Sequence, residues 1–136
     1  MNEPEPFIDT NILLYMFSED AEKADRAEEI LRAGGRISVQ VLNELANVAR
    51  RKLAMTWAEI NEIVILIRSI CPADSLTTET HEMGMRIAER YGLSVYDAMI
   101  AAAAFLAECE VLYSEDMHDG LLINQQLRIV NPFANS

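Results

Sequence analysis

Cysteine is scarce in this chain: Cys71 and Cys109 are the only two in 136 residues. They lie far apart and in no C-x-x-C pattern, which argues against a disulfide framework or a zinc site and predicts two reduced, buried thiols. Basic residues are also few, 11 Lys and Arg against 22 Asp and Glu, for a formal charge of −11. That is the wrong sign for gripping nucleic acid with a general basic surface, so any contact with RNA or DNA needs metal ions and a local basic patch. An acidic surface also suits a basic partner. Long apolar runs are missing: Ala98 to Ala107, the longest, falls well short of the roughly 20 residues that cross a bilayer. The opening Met1-Asn2-Glu3-Pro4-Glu5-Pro6 is acidic with no apolar signal core. These absences lead to the expectation of a soluble, cytoplasmic protein. No Gly-x-Ser-x-Gly, P-loop or dinucleotide glycine pattern occurs.

Apolar residues are plentiful, at 51%, and charged residues make up 24%, a composition that folds without disulfides. A chain of this length buries about two-thirds of its unfolded surface. One domain over residues 1–136 is expected, with loose tails at 1–5 and 134–136. Residues 6–9 read as a first strand and Asn11 to Phe17 as a short helix. Ser18 reads as the cap of a helix over 19–33, closed by Gly34-Gly35. Arg36 to Ser38 is a short strand, and Ser38 caps a helix whose Val41, Leu42, Leu45 and Val48 share one face. Thr56-Trp57-Ala58-Glu59 is a capping box. Ile70-Cys71-Pro72 reads as a short edge strand. Thr77 or Thr78 opens a helix closed by Gly92, and Ser94 opens one through Glu108 that is apolar all round from Ala98 onward and so belongs in the core. Residues 111–114 and 127–130 complete the strands, with a loop over 115–120. Strands alternating with helices predict a parallel sheet with helices on both faces.

Four acids stand where such a sheet binds ligands, just beyond the carboxyl ends of its strands. Asp9 ends the first strand, although a helix N-cap explains it equally well. Glu44 lies at the edge of a buried helical stripe, where a solvated acid is the plainer reading. Asp97 sits in the Ser94-Val95-Tyr96-Asp97 cap, which accounts for it structurally. Asp116 follows a strand, and in nearby Asp119-Gly120 a turn explains the aspartate. The functional case lies in the combination. A parallel sheet delivers Asp9 and Asp116 to one rim, and Glu44 and Asp97 lie near helix N-termini that point back to it. Four converging carboxylates repel one another unless a cation holds them. Oxygen ligands with little Cys or His suit Mg²⁺ or Mn²⁺.

The ordered set Phe7-Ile8-Asp9-Thr10-Asn11, Glu44, Asp97 heading an Ala-rich helix, Ser114-Glu115-Asp116, and the closing Ile129-Val130-Asn131-Pro132-Phe133 resembles the PIN-domain ribonucleases, in particular the VapC-type toxins of bacterial toxin–antitoxin pairs. The resemblance runs over nearly the whole chain. It implies an α/β/α sandwich around a central parallel β-sheet and an endoribonuclease site dependent on Mg²⁺ or Mn²⁺. By position, Asp9, Glu44, Asp97 and Asp116 match the catalytic acids; the expectation is that Asp9, Asp97 and Asp116 bind metal directly and that Glu44 binds it or holds the attacking water. Asn11 and Ser114 match the polar residues that orient them. Asp119 matches an extra acid that part of the family carries. The resemblance further implies an RNA substrate, a homodimer and a cognate antitoxin.

Other candidates are weaker. His81 and His118 read as surface histidines, with His118 near enough to Asp116 to reach substrate. Arg50-Arg51-Lys52 is the densest basic run; complementing a helix dipole explains it, and an RNA-backbone contact is the functional alternative. Two rival readings share the acidic rim: a receiver-like module phosphorylated on aspartate, and a catalytically inactive binding domain. A receiver ordinarily pairs its acids after the first strand and places a lysine after a late strand. Here Asp9 stands alone, and the only lysines are Lys23 and Lys52.

Overall fold

A computed structural model describes residues 5–133. The elements in chain order are β1 (Phe7–Ile8), α1 (Thr10–Leu14), a 3₁₀ turn (Tyr15–Phe17), α2 (Ala21–Ala33), β2 (Ile37–Ser38), α3 (Val39–Arg51), α4 (Trp57–Ile70), β3 (Ala73–Asp74), α5 (Thr78–Tyr91), α6 (Val95–Leu106), β4 (Val111–Tyr113), β5 (Leu122–Ile123) and β6 (Leu127–Val130). β1, β4, β6 and β5 form one sheet in that order, and β2 and β3 form a second parallel pair. A bridge between Phe7 and Arg36 joins the two, through Ile8 N–H donating to Arg36 O at 2.9 Å and Arg36 N–H donating to Pro6 O at 2.9 Å. The strands therefore run 3-2-1-4-6-5, all parallel except β5. Helices flank this sheet in an α/β/α sandwich, as expected. The order differs from the 2-1-3-4-5 arrangement of flavodoxin-like receivers, which removes the receiver reading at the level of topology.

Fully buried Phe7, Ile8, Ile37, Leu112, Ile123, Leu127 and Ile129 make the sheet's part of the core. α6 is buried continuously from Ala98 to Ala104, which is why it lacks a polar face. Its small residues let α5 approach closely. A Cβ added at Gly84 would stand 2.6 Å from the Met99 sulfur, so only glycine permits this crossing without displacing Met99. Cys71 and Cys109 are buried and free, and desolvation pushes both thiols up to about 11.

Several boundaries differ from expectation for identifiable reasons. Asp9 lies outside β1 and caps α1, accepting from Thr10 N–H at 2.7 Å. The helix expected over 11–17 divides into α1 and the 3₁₀ turn. Asp20, rather than Ser18, caps α2; the Ser18 hydroxyl accepts from Asp20 N–H at 3.0 Å. α4 continues to Ile70, so the edge strand falls at 73–74 instead of 70–72. Pro72 still contributes its carbonyl, which accepts from Ile37 N–H at 3.0 Å, the one ladder function a proline keeps. β5 was not anticipated. It is two residues long and turns into β6 through Asn124 and Gln125, both with positive φ, a primed hairpin turn without the glycine that usually marks one. Of the tails expected at 1–5 and 134–136, residues 1–4 and 134–136 lie outside the described residues, and Glu5 is exposed. Among the described residues, no helix is long and apolar enough to cross a membrane.

Candidate active site

A cavity of about 720 Å³ opens where β1 ends against α3 and the start of α6. Asp9, Glu44, Asp97 and Asp116 all line it, together with Asn11. Each acid arrives by a different route. β1 ends at Ile8, so Asp9 is delivered at the sheet's rim and is only 4% exposed. Its Oδ1 accepts from Thr10 N–H at 2.7 Å and its Oδ2 from the Ser114 hydroxyl at 2.7 Å. Ser114, fully buried past the end of β4, also accepts from Met117 N–H at 3.3 Å. The cap and the site acid are thus the same carboxylate.

Glu44 projects from the second turn of α3. The Thr10 hydroxyl donates to Oε1 at 3.0 Å and Gln40 Nε2 to Oε2 at 2.9 Å. Asp97 lies in the first turn of α6, where its backbone N–H donates to the Ser94 hydroxyl at 3.2 Å. Asp116 is exposed just past β4. Thr10 and Gln40 were not singled out from sequence. Gln40 carried a usable signal, since a residue four before Glu44 shares its helical face. Thr10 carried none beyond its place between Asp9 and Asn11.

The acids feel one another. Burial raises the Asp9 carboxyl to about 6, against the Ser114 and Thr10 hydrogen bonds, and the charges of Asp97 and Glu44 add to the rise. Asp97 is also raised, first by burial, with further contributions from Glu44 and Asp116. Carboxylates sharing a site in this way favour a cation among them.

The donor set fits a hard divalent ion. All four acids offer oxygen, and the side-chain oxygen and nitrogen of Asn11 are buried without any partner among the described residues. Leaving such groups unsatisfied costs about 1–3 kcal/mol each, so the site as built by protein alone is incomplete. Among the described residues, no three acid, His or Cys side chains stand close enough together to hold a metal ion by themselves; Mg²⁺ ordinarily keeps several of its waters and takes only one or two carboxylates. Asn11 makes no hydrogen bond to the four acids among the described residues. Asp119 does not line the cavity; its Oδ1 accepts from Asn131 N–H at 2.8 Å. Neither His81 nor His118 lines it.

The basic run separates. Arg50 donates to Met55 O at 2.9 Å and stacks over Trp57 at 4.7 Å, whereas Lys52 lines the cavity. Lys52 is its one cationic lining residue among those described, with exposed Tyr96 beside Asp97 and the amides of Asn43 and Asn47 along α3.

The sequence profile of the PIN domain matches residues 7–118, most of the chain and a span that contains all four of these acids. The chain belongs to the PIN-domain family. No curated protein sequence matches it. Among solved structures, this PIN domain is similar to a toxin–antitoxin complex from Klebsiella pneumoniae, with TM-score 0.72 and 23% identity over 94% of this chain and 98% of that one. It is similar to VapBC2 from Rickettsia felis, solved bound to a DNA fragment from its promoter, with TM-score 0.65 and 17% identity over 93% of this chain and 98% of that one. It is also similar to VapC20 of Mycobacterium tuberculosis, described as a Sarcin-Ricin loop cleaving toxin, with TM-score 0.64 and 16% identity over 82% of this chain and 89% of that one. At these identities the likeness is one of fold.

Proposed function

We propose that this PIN domain is a metal-dependent endoribonuclease and the toxin of a type II toxin–antitoxin pair, working as a homodimer and held silent by a cognate antitoxin. The observation that carries the nuclease reading is that four carboxylates from four separate parts of the chain line one cavity at the rim of the sheet. The toxin reading draws support from the fold, which is shared with chains from toxin–antitoxin complexes. The similarity to VapC20, a Sarcin-Ricin loop cleaving toxin, supports RNA as the substrate.

Asp9, Asp97 and Asp116 are the residues to hold Mg²⁺ or Mn²⁺. When bound, such an ion lowers the pKa of a water and neutralises charge developing on the phosphodiester. The protein's own part is orientation and proton transfer. Thr10 and Ser114 fix both oxygens of Asp9. Thr10 and Gln40 fix both oxygens of Glu44, leaving each a free lone pair with which to hold the attacking water and take its proton. Lys52 is the residue to meet a phosphate of the strand, which in a chain of charge −11 makes it the main protein-borne attraction for RNA at this cavity.

The test is cleavage of a single-stranded RNA by purified protein with Mn²⁺ or Mg²⁺, wild type against Asp9→Asn. Cleavage by wild type alone is the expected result. Equal cleavage by both would assign the activity to a contaminant and sink the proposal. Absence of Mn²⁺ binding at millimolar concentration, read by calorimetry, would favour the inactive binding domain.

A further inference from the structure

We propose that Lys23, Tyr15 and Glu115 form a latch behind the site that positions Asp116. This inference rests on reading Asp116 as a site acid. Glu115 and Asp116 are neighbours in the chain but do different things. Asp116 lines the cavity and makes no side-chain hydrogen bond among the described residues, whereas Glu115 is absent from the lining. The Glu115 carboxylate instead accepts from the Tyr15 hydroxyl, in the 3₁₀ turn, and from Lys23 Nζ, in the first turn of α2, at 3.2 Å. Lys23 Nζ also donates to the Tyr15 oxygen at 3.3 Å and stands 4.5 Å from the Tyr15 ring centroid. Phe133, beyond β6, closes the group edge-on to Tyr15 at 5.0 Å. Residues distant in sequence therefore converge on Glu115.

On the other side of Asp116, Met117 is buried and its N–H donates to the Ser114 hydroxyl, which in turn donates to Asp9. Asp116 is a bare, exposed carboxylate held at both flanks, by the latch at 115 and by the Ser114 anchor at 117. A ligand group held in place in advance needs less ordering when the ion binds. The latch also deals with a charge problem. Glu115 released from Lys23 becomes another carboxylate next to a cavity that already has four, free to compete with Asp116.

A half-exposed ion pair ordinarily contributes little to stability. A latch that only tied the fold together would thus shift the thermal midpoint slightly and leave the site untouched. The experiment compares Lys23→Met, Glu115→Gln and Tyr15→Phe with wild type, by calorimetric Mn²⁺ titration without RNA and by steady-state cleavage. Mn²⁺ affinity and kcat are expected to fall about five- to ten-fold, within the range for directly contacting groups, with KM within about two-fold. Lys23→Arg should restore both. In an Asp116→Asn background, breaking the latch should no longer alter Mn²⁺ affinity. Tyr15→Phe keeps the ring packing and serves if Glu115→Gln fails to fold. Unchanged Mn²⁺ affinity in the latch variants, or an undiminished effect in the Asp116→Asn background, overturns the proposal. The two readings fail separately. If wild type cleaves RNA while the latch variants bind Mn²⁺ normally, the latch falls and the nuclease stands. If the latch governs Mn²⁺ binding but wild type cleaves no RNA, the nuclease falls and the latch stands.

Discussion

The ends of β1 and β4 lie side by side in the sheet and each delivers an aspartate to the same cavity, yet they hold it in opposite ways. Asp9 is buried, accepts hydrogen bonds on both oxygens, and is raised to about 6. Asp116 is exposed, has no side-chain partner among the described residues, and takes its place from Glu115 and Met117. One acid is fixed by its own contacts at the expense of desolvation; the other is fixed by its neighbours and stays in water. A site that must attract a cation gains from both, since a buried ligand is rigid and an exposed one is open to an ion arriving from solvent.

The largest effect that tests this contrast comes from Asp9→Asn. Cleavage should fall by about 10²–10⁴-fold, as for loss of a group central to metal-assisted proton transfer, while the metal-free protein becomes more stable at pH 7. The sign follows from linkage. The carboxyl of Asp9 is raised on folding, so its contribution to stability is full below about pH 4 and is lost as pH rises through about 6. The amide cannot ionise, so it removes a penalty of the order of 1–3 kcal/mol at neutral pH. Denaturant midpoints of the two proteins without metal should coincide near pH 4 and separate toward pH 7. A variant less stable than wild type at pH 7 would show that the cap outweighs the buried charge. The same titration makes Mn²⁺ affinity fall about ten-fold per pH unit below about 6, as a proton competes with the ion.

Asp116→Asn is the matching change on the other strand. It should lower cleavage and Mn²⁺ affinity while moving stability by no more than about 0.5 kcal/mol, because an exposed, unpartnered side chain has little to lose on unfolding. A large loss of stability would break the contrast with Asp9. Lys52→Met should weaken RNA binding to an Asp9→Asn protein and reduce the salt slope of that binding by about 0.7, the share of one single-strand phosphate contact. An unchanged slope would remove Lys52 from the RNA path. Asp119→Ala has the smallest expected effect on the site. It loses one bond to Asn131 N–H, worth about 1 kcal/mol or less, and should leave Mn²⁺ affinity as it is.

Much of the fold was legible along the chain because its signals are local. The Thr56 capping box, the Gly92 helix stop and the apolar run of α6 each lie within one element, and each appears where the pattern put it. The boundaries that moved are those decided by hydrogen bonds to distant residues. The Ile37–Pro72 bond registers the edge strand, and β5 exists only because β6 is there to pair with.

The four acids could be named from sequence because parallel strands must end on one rim, which is a rule of topology. Their different circumstances could not. Whether Asp9 is a buried acid near 6 or a solvated cap depends on how the packed chain buries it, a rise that the hydroxyl of Ser114, 105 residues away, opposes. Whether Asp116 is held or loose depends on Lys23 and Tyr15, about as distant in sequence. The order of residues determined which carboxylates share a rim, since strand direction and helix polarity follow from local pattern. Only the tertiary structure decided how each is charged and held, since desolvation and ion pairing depend on which distant groups the packed chain brings within reach.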